Sequence, residues 1–139
     1  MKDKVVVITG STRGYGYAIA EAMLNAGATV VISGRSQDAL TRATTSLEAL
    51  GIVKGQLCDV RNEEQVYALA RIAVQSFGRI DVWINNAGYA SAAGLMLETP
   101  PHQALDMFLA NDMGTVYGCQ AALHFMTPRK EGTVVNIYG

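Results

Sequence analysis

The sequence predicts an α/β fold, one doubly wound parallel sheet with helices on both faces. Three observations carry that prediction. Short β-branched runs alternate with longer helical patterns along the chain. The first run, Val5-Val6-Val7-Ile8, breaks into a loop with glycines at 10, 14 and 16, and a helical pattern follows directly. A second glycine turn, Asn85-Asn86-Ala87-Gly88, closes the fourth run.

Each element can be justified in order. The first strand is expected over residues 4–9. In the helix behind the glycine loop, Ile19, Ala22, Met23 and Ala26 recur at i, i+3, i+4 and i+7, and Gly27 supplies a C-cap. The second strand is 29–33, after which Ser36 caps a helix with the apolar face Leu40, Ala43, Leu47 and Leu50, closed by Gly51. The third strand, 52–58, is weakened by Gly55 and Gln56. Asn62 with Gln65 three residues on resembles a capping box, and Val66, Leu69, Ala73 and Phe77 form the stripe before Gly78. The fourth strand is 80–85, and the Gly- and Ala-rich stretch 88–94 reads as a loop. Thr99-Pro100-Pro101 opens a long helical region in which Leu105, Phe108, Leu109, Val116, Tyr117 and Ala121 share helical spacing. Glu131-Gly132 ends it, and residues 133–137 form the fifth strand. Right-handed crossovers between these strands give the order 3-2-1-4-5.

The chain is one domain by its length of 139 residues, enough to bury roughly two-thirds of its unfolded surface. With 50% hydrophobic residues and a net charge of −1, a packed core is expected. Scattered Lys and Arg argue against a nucleic-acid or membrane-surface partner. No apolar span approaches the roughly 20 residues of a membrane helix, and Met1-Lys2-Asp3-Lys4 begins no signal peptide. A cytoplasmic protein is expected. Cys58 and Cys119 read as small buried apolar residues, His102 and His124 as surface residues, and no metal site is expected.

A buried strand feeding a bare turn and a helix N-terminus is a device for holding phosphate. The candidate residues are Thr9, Gly10, Ser11, Thr12, Arg13, Gly14, Tyr15 and Gly16. No Gly-Lys-Ser/Thr follows, which argues against a nucleoside triphosphatase. At the end of the second strand stand Gly34, Arg35 and Ser36, where an NAD-binding chain places an acidic residue. A guanidinium fork there suits a 2′-phosphate, and Arg13 can add a second charge, so NADP(H) is favoured over NAD(H). Asp59 and Val60 end the third strand where an adenine can rest, the carboxylate accepting from its amine. Asn86, Ala87 and Gly88 complete the candidate cofactor set.

Together the Thr9-Gly10-x-x-x-Gly14-x-Gly16 loop, Asp59-Val60 and Asn85-Asn86-Ala87-Gly88 resemble the short-chain dehydrogenase/reductase family, from residue 4 to 139. The resemblance implies a Rossmann-like fold and hydride transfer between a nicotinamide and a small-molecule carbonyl or alcohol substrate. It also implies a Tyr general acid/base, a Lys that lowers its pKa and holds the ribose, and a Ser that orients the substrate oxygen. Asn111 falls where the family keeps an active-site Asn that helps hold a proton-relay water.

The departures from that pattern matter as much. Four residues after Tyr15, Tyr17 and Tyr67 come Ile19, Glu21 and Arg71, and no tyrosine of the chain has Lys at that spacing. The Ser is expected a few residues after Asn136, where Gly139 stands. Either Gly replaces it, or the Ser lies slightly later, as in pigment-reducing members similar to chlorophyll b reductases. Tyr138 reads as a side chain of the fifth strand. The expectation is a cofactor-binding half, truncated after the fifth strand, that does not transfer hydride by itself. An open fifth-strand edge and an uncovered apolar side over residues 105–121 predict a homo-oligomer or a segment of a longer protein. Two other readings stand: a non-catalytic NADP-binding module or sensor, and another nucleotide binder such as a methyltransferase, against which Arg35 argues. The small, apolar stretch 91–97 hints at an apolar carbonyl substrate.

Overall fold

Val5 to Ile8 are apolar and β-branched without exception, which suits a strand covered on both faces, and all four are buried. A computed structural model of the chain describes residues 1–90 and 96–138. In it β1 (Val5–Ile8), α1 (Gly14–Asn25), β2 (Thr29–Gly34), α2 (Gln37–Leu47), β3 (Val53–Leu57), α3 (Glu63–Phe77) and β4 (Val82–Asn85) alternate as the sequence predicts. A 3-10 turn (Met96–Glu98), α4 (Pro101–Phe108), a π-helical turn (Leu109–Met113), α5 (Gly114–Met126), a second 3-10 turn (Thr127–Arg129) and β5 (Thr133–Asn136) follow. All strand pairs are parallel and the order is β3-β2-β1-β4-β5, the Rossmann-like arrangement expected.

Alternation along the central strands splits the core in two. Val6, Ile8, Val30 and Ile32 pack with Ala20 and Leu24 of α1 and Leu40, Ala43 and Leu47 of α2. Val7, Val31 and Trp83 point the other way, against Val66, Leu69 and Ala73 of α3 and Ala121 and Ala122 of α5. Capping follows the sequence closely. The Ser36 hydroxyl accepts from the Ala39 N–H at 3.4 Å, and Asn62 Oδ1 accepts from the Gln65 N–H at 3.1 Å. The capping box has one arm only, because Gln65 Oε1 accepts from the Asp59 N–H at 2.8 Å instead.

Several expectations change. In α1 the buried residues are Gly16, Ala20 and Leu24; Ile19 and Met23 flank them, and Ala22 and Ala26 are exposed. The long helical region is divided by the π-helical turn, and Leu105, Phe108 and Val116 are exposed while Ala110, Gly114, Gly118, Ala121 and Ala122 are buried. Close approach explains both. A Cβ at Gly118 would overlap Asn85 Oδ1 and lie 2.8 Å from Trp83 Nε1, so only the smallest residues can face the sheet there. Finally, β5 ends at Asn136, and Tyr138 lies beyond it, 82% exposed, instead of in the sheet. Leu50, past the end of α2, and Phe77 are only partly covered, and Cys119 is half-buried where full burial was expected. The expectations for residues 91–95 and Gly139 lie outside the described residues, and Leu97 is exposed.

At the amino ends of the strands Asp81 ties the sheet together. Its Oδ2 accepts from the Val5 N–H at 2.9 Å, and Lys4, Arg79 and Arg129 gather round Oδ1. Burial alone would raise this carboxyl. The Arg79 and Val5 hydrogen bonds and the Arg79 and Lys4 charges outweigh it and hold the group below the usual carboxylate range.

Candidate functional site

The site lies beyond the carboxyl ends of the strands, where β1 and β4 place the two glycine turns side by side. The turns are bonded to each other. Asn86 Nδ2 donates to the carbonyls of Thr9 and Gly10, each at 3.0 Å, and the Thr9 hydroxyl accepts from the N–H groups of Asn86 and Ala87, also at 3.0 Å. Gly10 has φ +62°, and a Cβ there would lie 2.7 Å from Ala87 Cα. A side chain at position 10 would therefore meet both the left-handed backbone and the opposite turn. Gly16 is pressed against the Asn86 amide in the same way.

A cavity of about 460 Å³ opens over this junction. Gly10, Thr12, Arg13 and Tyr15 of the first turn line it, with Asn86, Ala87 and Gly88 of the second. Gly34 and Arg35 border it at the end of β2, and Cys58, Asp59 and Val60 at the end of β3. Other candidate residues stand outside that lining. The Thr9 hydroxyl is consumed in the junction, and Gly16 packs beneath it. Ser11 is buried, its hydroxyl donating to the Ile8 carbonyl at 2.7 Å and accepting from the Ser33 N–H at 2.9 Å, so it binds β1 to β2. Gly14 is exposed in the first turn of α1, and Ser36 is occupied as the cap of α2. Asn111, in the π-helical turn, accepts from the Tyr89 N–H at 2.7 Å and donates to the Tyr89 carbonyl at 2.9 Å.

Arg61, Tyr89, Asp106 and Ala110 line the cavity without having been expected there. Arg61 grips Asp59 through Nε at 3.0 Å and Nη2 at 2.7 Å, and reaches Asp106 on α4 through Nη1 at 2.8 Å. The Arg61 hydrogen bond is the main reason the Asp59 carboxyl sits below the usual carboxylate range; burial opposes it, and the Arg61 and Arg35 charges add to it. The Asp-x-Arg spacing is a local signal from which this pair could have been read; Asp106, 45 residues beyond Arg61, gives none. Burial, helped by the Asp59 charge, pushes the Cys58 thiol up to about 12, so it stays a neutral wall of the cavity.

The charge balance is uneven. Arg61 is shared between two carboxylates, whereas Arg13 and Arg35 make no hydrogen bond or ion pair among the described residues. The helix ends differ too. Helices α2 and α3 have side-chain caps and acidic first turns, while α1, whose N-terminal Arg13 and Tyr15 line the cavity, has neither. Glycine junction, uncapped helix and unpaired cations together fit a phosphate-bearing cofactor.

The fold defines a doubly wound, Rossmann-like α/β protein. More narrowly, the chain belongs to the short chain dehydrogenase family, whose model matches residues 4–138. It is 37% identical over 139 residues to the chloroplastic chlorophyll(ide) b reductase NOL of Oryza sativa, covering 96% of this chain and 40% of that protein. It is also 37% identical over 142 residues to the uncharacterized oxidoreductase YxnA of Bacillus subtilis, covering 99% and 39%. An uncharacterized oxidoreductase of Staphylococcus aureus is 37% identical over 137 residues, covering 99% and 58%. The chain thus spans 39% to 58% of the length of these curated relatives. Among solved structures, an actinorhodin polyketide ketoreductase variant with NADPH superposes with TM-score 0.92 at 30% identity, over 98% of this chain and 53% of that one. A metagenomic short-chain oxidoreductase in complex with NADP gives 0.91 at 28%, over 99% and 63%. An NAD+-bound xylitol dehydrogenase gives 0.92 at 27%, over 97% and 52%. Family membership leaves the methyltransferase reading without support.

Proposed function

We propose that these residues form the cofactor-binding part of an NADP(H)-dependent oxidoreductase acting on a carbonyl or alcohol substrate. The observation that carries the preference is the pair Arg13 and Arg35, two unpaired guanidinium groups on the cavity with no carboxylate at the end of β2. Each presents a planar fork that matches a 2′-phosphate. The open N–H groups of α1 and the backbone around Gly10 would hold the pyrophosphate. Asp59, oriented by Arg61, would accept from the adenine amine, and Ala87 and Gly88 would border the nicotinamide side.

When bound, the nicotinamide supplies or accepts the hydride. Asn111 enters as a positioning residue, its amide fixing the Tyr89 backbone against the cavity wall. No tyrosine here has Lys four residues on. These residues alone are therefore expected to bind cofactor without transferring hydride, and a non-catalytic NADP-binding module remains the second reading. The exposed Leu105, Phe108 and Val116 and the free side of β5 support a homo-oligomer.

Titration with NADPH and NADH, followed by nicotinamide fluorescence, tests the cofactor reading. Binding of NADPH is expected on the order of tenfold tighter or more, since two charge-assisted contacts are at stake. Equal affinities would sink it.

A further inference from the structure

One wall of the cavity is not held in place by its own packing. Helix α4 is eight residues long, has no side-chain cap and buries no residue, and none of its side chains belongs to either core cluster. A helix that short gains little from propensity, so contacts with its neighbours must set its position. Yet Asp106 of α4 and Ala110 of the π-helical turn behind it line the cavity.

Two adjacent residues past the end of β3 supply those contacts, and they differ in kind. Val60 is buried, and a Cβ at Gly114 would lie 2.9 Å from its Cγ2, so the start of α5 is pressed onto it. Arg61 is 33% exposed and reaches Asp106 through Nη1 at 2.8 Å. Among the described residues this is the one hydrogen bond or ion pair that joins a side chain of α4 to another element. Asp59 takes Nε and Nη2 of the same guanidinium, which leaves Nη1 for α4. Between the two anchors runs the π-helical turn Leu109–Met113, the kind of irregularity at which helices bend. The anchor behind the turn is apolar and close-packed. The anchor before it is a charge pair in contact with water, a weak tie that salt screens.

We propose that the Arg61–Asp106 pair is a latch that holds α4 against the cavity, with both residues positioning residues and the π-helical turn the pivot. When the latch is released, α4 swings outward and the cavity widens at Asp106, while α5 stays seated on Val60. A bound molecule then leaves faster by that side. The latch itself needs no ligand; its effect on cofactor exit rests on the NADP(H) reading above.

Hydrogen exchange of the α4 amides, in the protein in the full length its gene encodes and without cofactor, tests the latch. Asp106 is 41% exposed, so Asp106→Asn removes the charge and keeps the fold. Glu48→Gln, exposed at the end of α2 and away from the cavity, controls for net charge. Exchange over residues 101–108 is expected to rise about two- to fivefold in Asp106→Asn, the range an exposed ion pair supports, and to stay at the parent value in Glu48→Gln. Asp106→Glu, which keeps the carboxylate, should restore slow exchange. Raising salt from roughly 0.05 M to roughly 0.5 M should speed exchange in the parent and leave Asp106→Asn unchanged, a dependence that lost packing alone would not give. NADPH dissociation, followed by stopped-flow displacement, should quicken in Asp106→Asn by a similar factor. Equal exchange in the parent and Asp106→Asn, or a parent insensitive to salt, overturns the latch. Faster exchange with unchanged NADPH dissociation overturns its role at the cavity. If the parent binds NADPH and NADH alike, or neither, the NADP(H) reading falls and the exchange result still decides the latch.

Discussion

The β1–β2 centre of the sheet and the β5–α4 edge are built to different standards. From β1 through β2 every strand residue except Thr29 is buried, and the polar groups of the glycine junction are bonded to one another. On the other side β5 has no buried residue, α4 has none either, and Leu105, Phe108, Val116 and Leu123 face outward. The cavity side is thus held by contacts within these residues, whereas the α4–α5 side offers apolar surface for something else to cover. Stability should therefore reside in the first region and association in the second.

The largest expected break comes at the junction. Gly10→Val forces a β-branched residue to φ +62° and drives it into Ala87, so a loss of about 3 kcal/mol or more is expected in denaturant unfolding, with cofactor binding abolished. An unfolding midpoint close to that of the parent would deny the junction its structural weight.

A smaller effect belongs to Asp81, at the opposite end of the same strands. Its folded pKa lies below the unfolded value, so its contribution is complete above the ordinary Asp value and is lost as pH falls through the folded pKa. Replacement Asp81→Asn should cost about 1–3 kcal/mol at neutral pH, because the Val5 N–H and the surrounding cations lose their charged partner. The same variant should flatten the stability profile below about pH 4. Unfolding curves between pH 3 and pH 7 (roughly the window set by a carboxylate reference) check both; an unchanged acid limb would place the stabilisation elsewhere.

The smallest effect on stability is expected where the comparison predicts it. The double variant Leu105→Glu with Phe108→Glu should alter unfolding by no more than about 0.5 kcal/mol, since both side chains are already exposed. It should nevertheless shift the mass in analytical ultracentrifugation toward the monomer. A clear loss of stability with unchanged mass would reverse the roles of the two regions.

The strand order and both glycine turns were legible in the sequence because they depend on local signals: β-branched runs, turn residues and the Ser36 and Asn62 caps. The faces of α1 and α5 were not. Periodicity is read from large apolar residues, yet these helices approach the sheet so closely that Gly16, Ala20, Gly118 and Ala121 face it and larger residues move to the flanks. Sequence placed Asp59 at the cavity but could not reveal its tie through Arg61 to Asp106, because that link spans elements brought together only by folding. Arg13 and Arg35 were found together for the opposite reason: Arg35 directly follows the end of β2 and Arg13 directly precedes α1, positions that the fold class fixes.

The π-helical turn at Leu109–Met113 has a consequence for insertions and deletions. A wide turn of this kind takes up one more residue than an α-helix over the same rise, so the flanking segments keep their rotational phase although the residue count is out of step. A one-residue deletion within 109–113 would restore regular winding and leave α4 and α5 facing as they do. The same deletion within α5 would turn everything after it by about 100°. The residue given up in the first case would come from the stretch that holds Asn111 against Tyr89, so the helix would survive the edit and the clasp on the cavity wall would not.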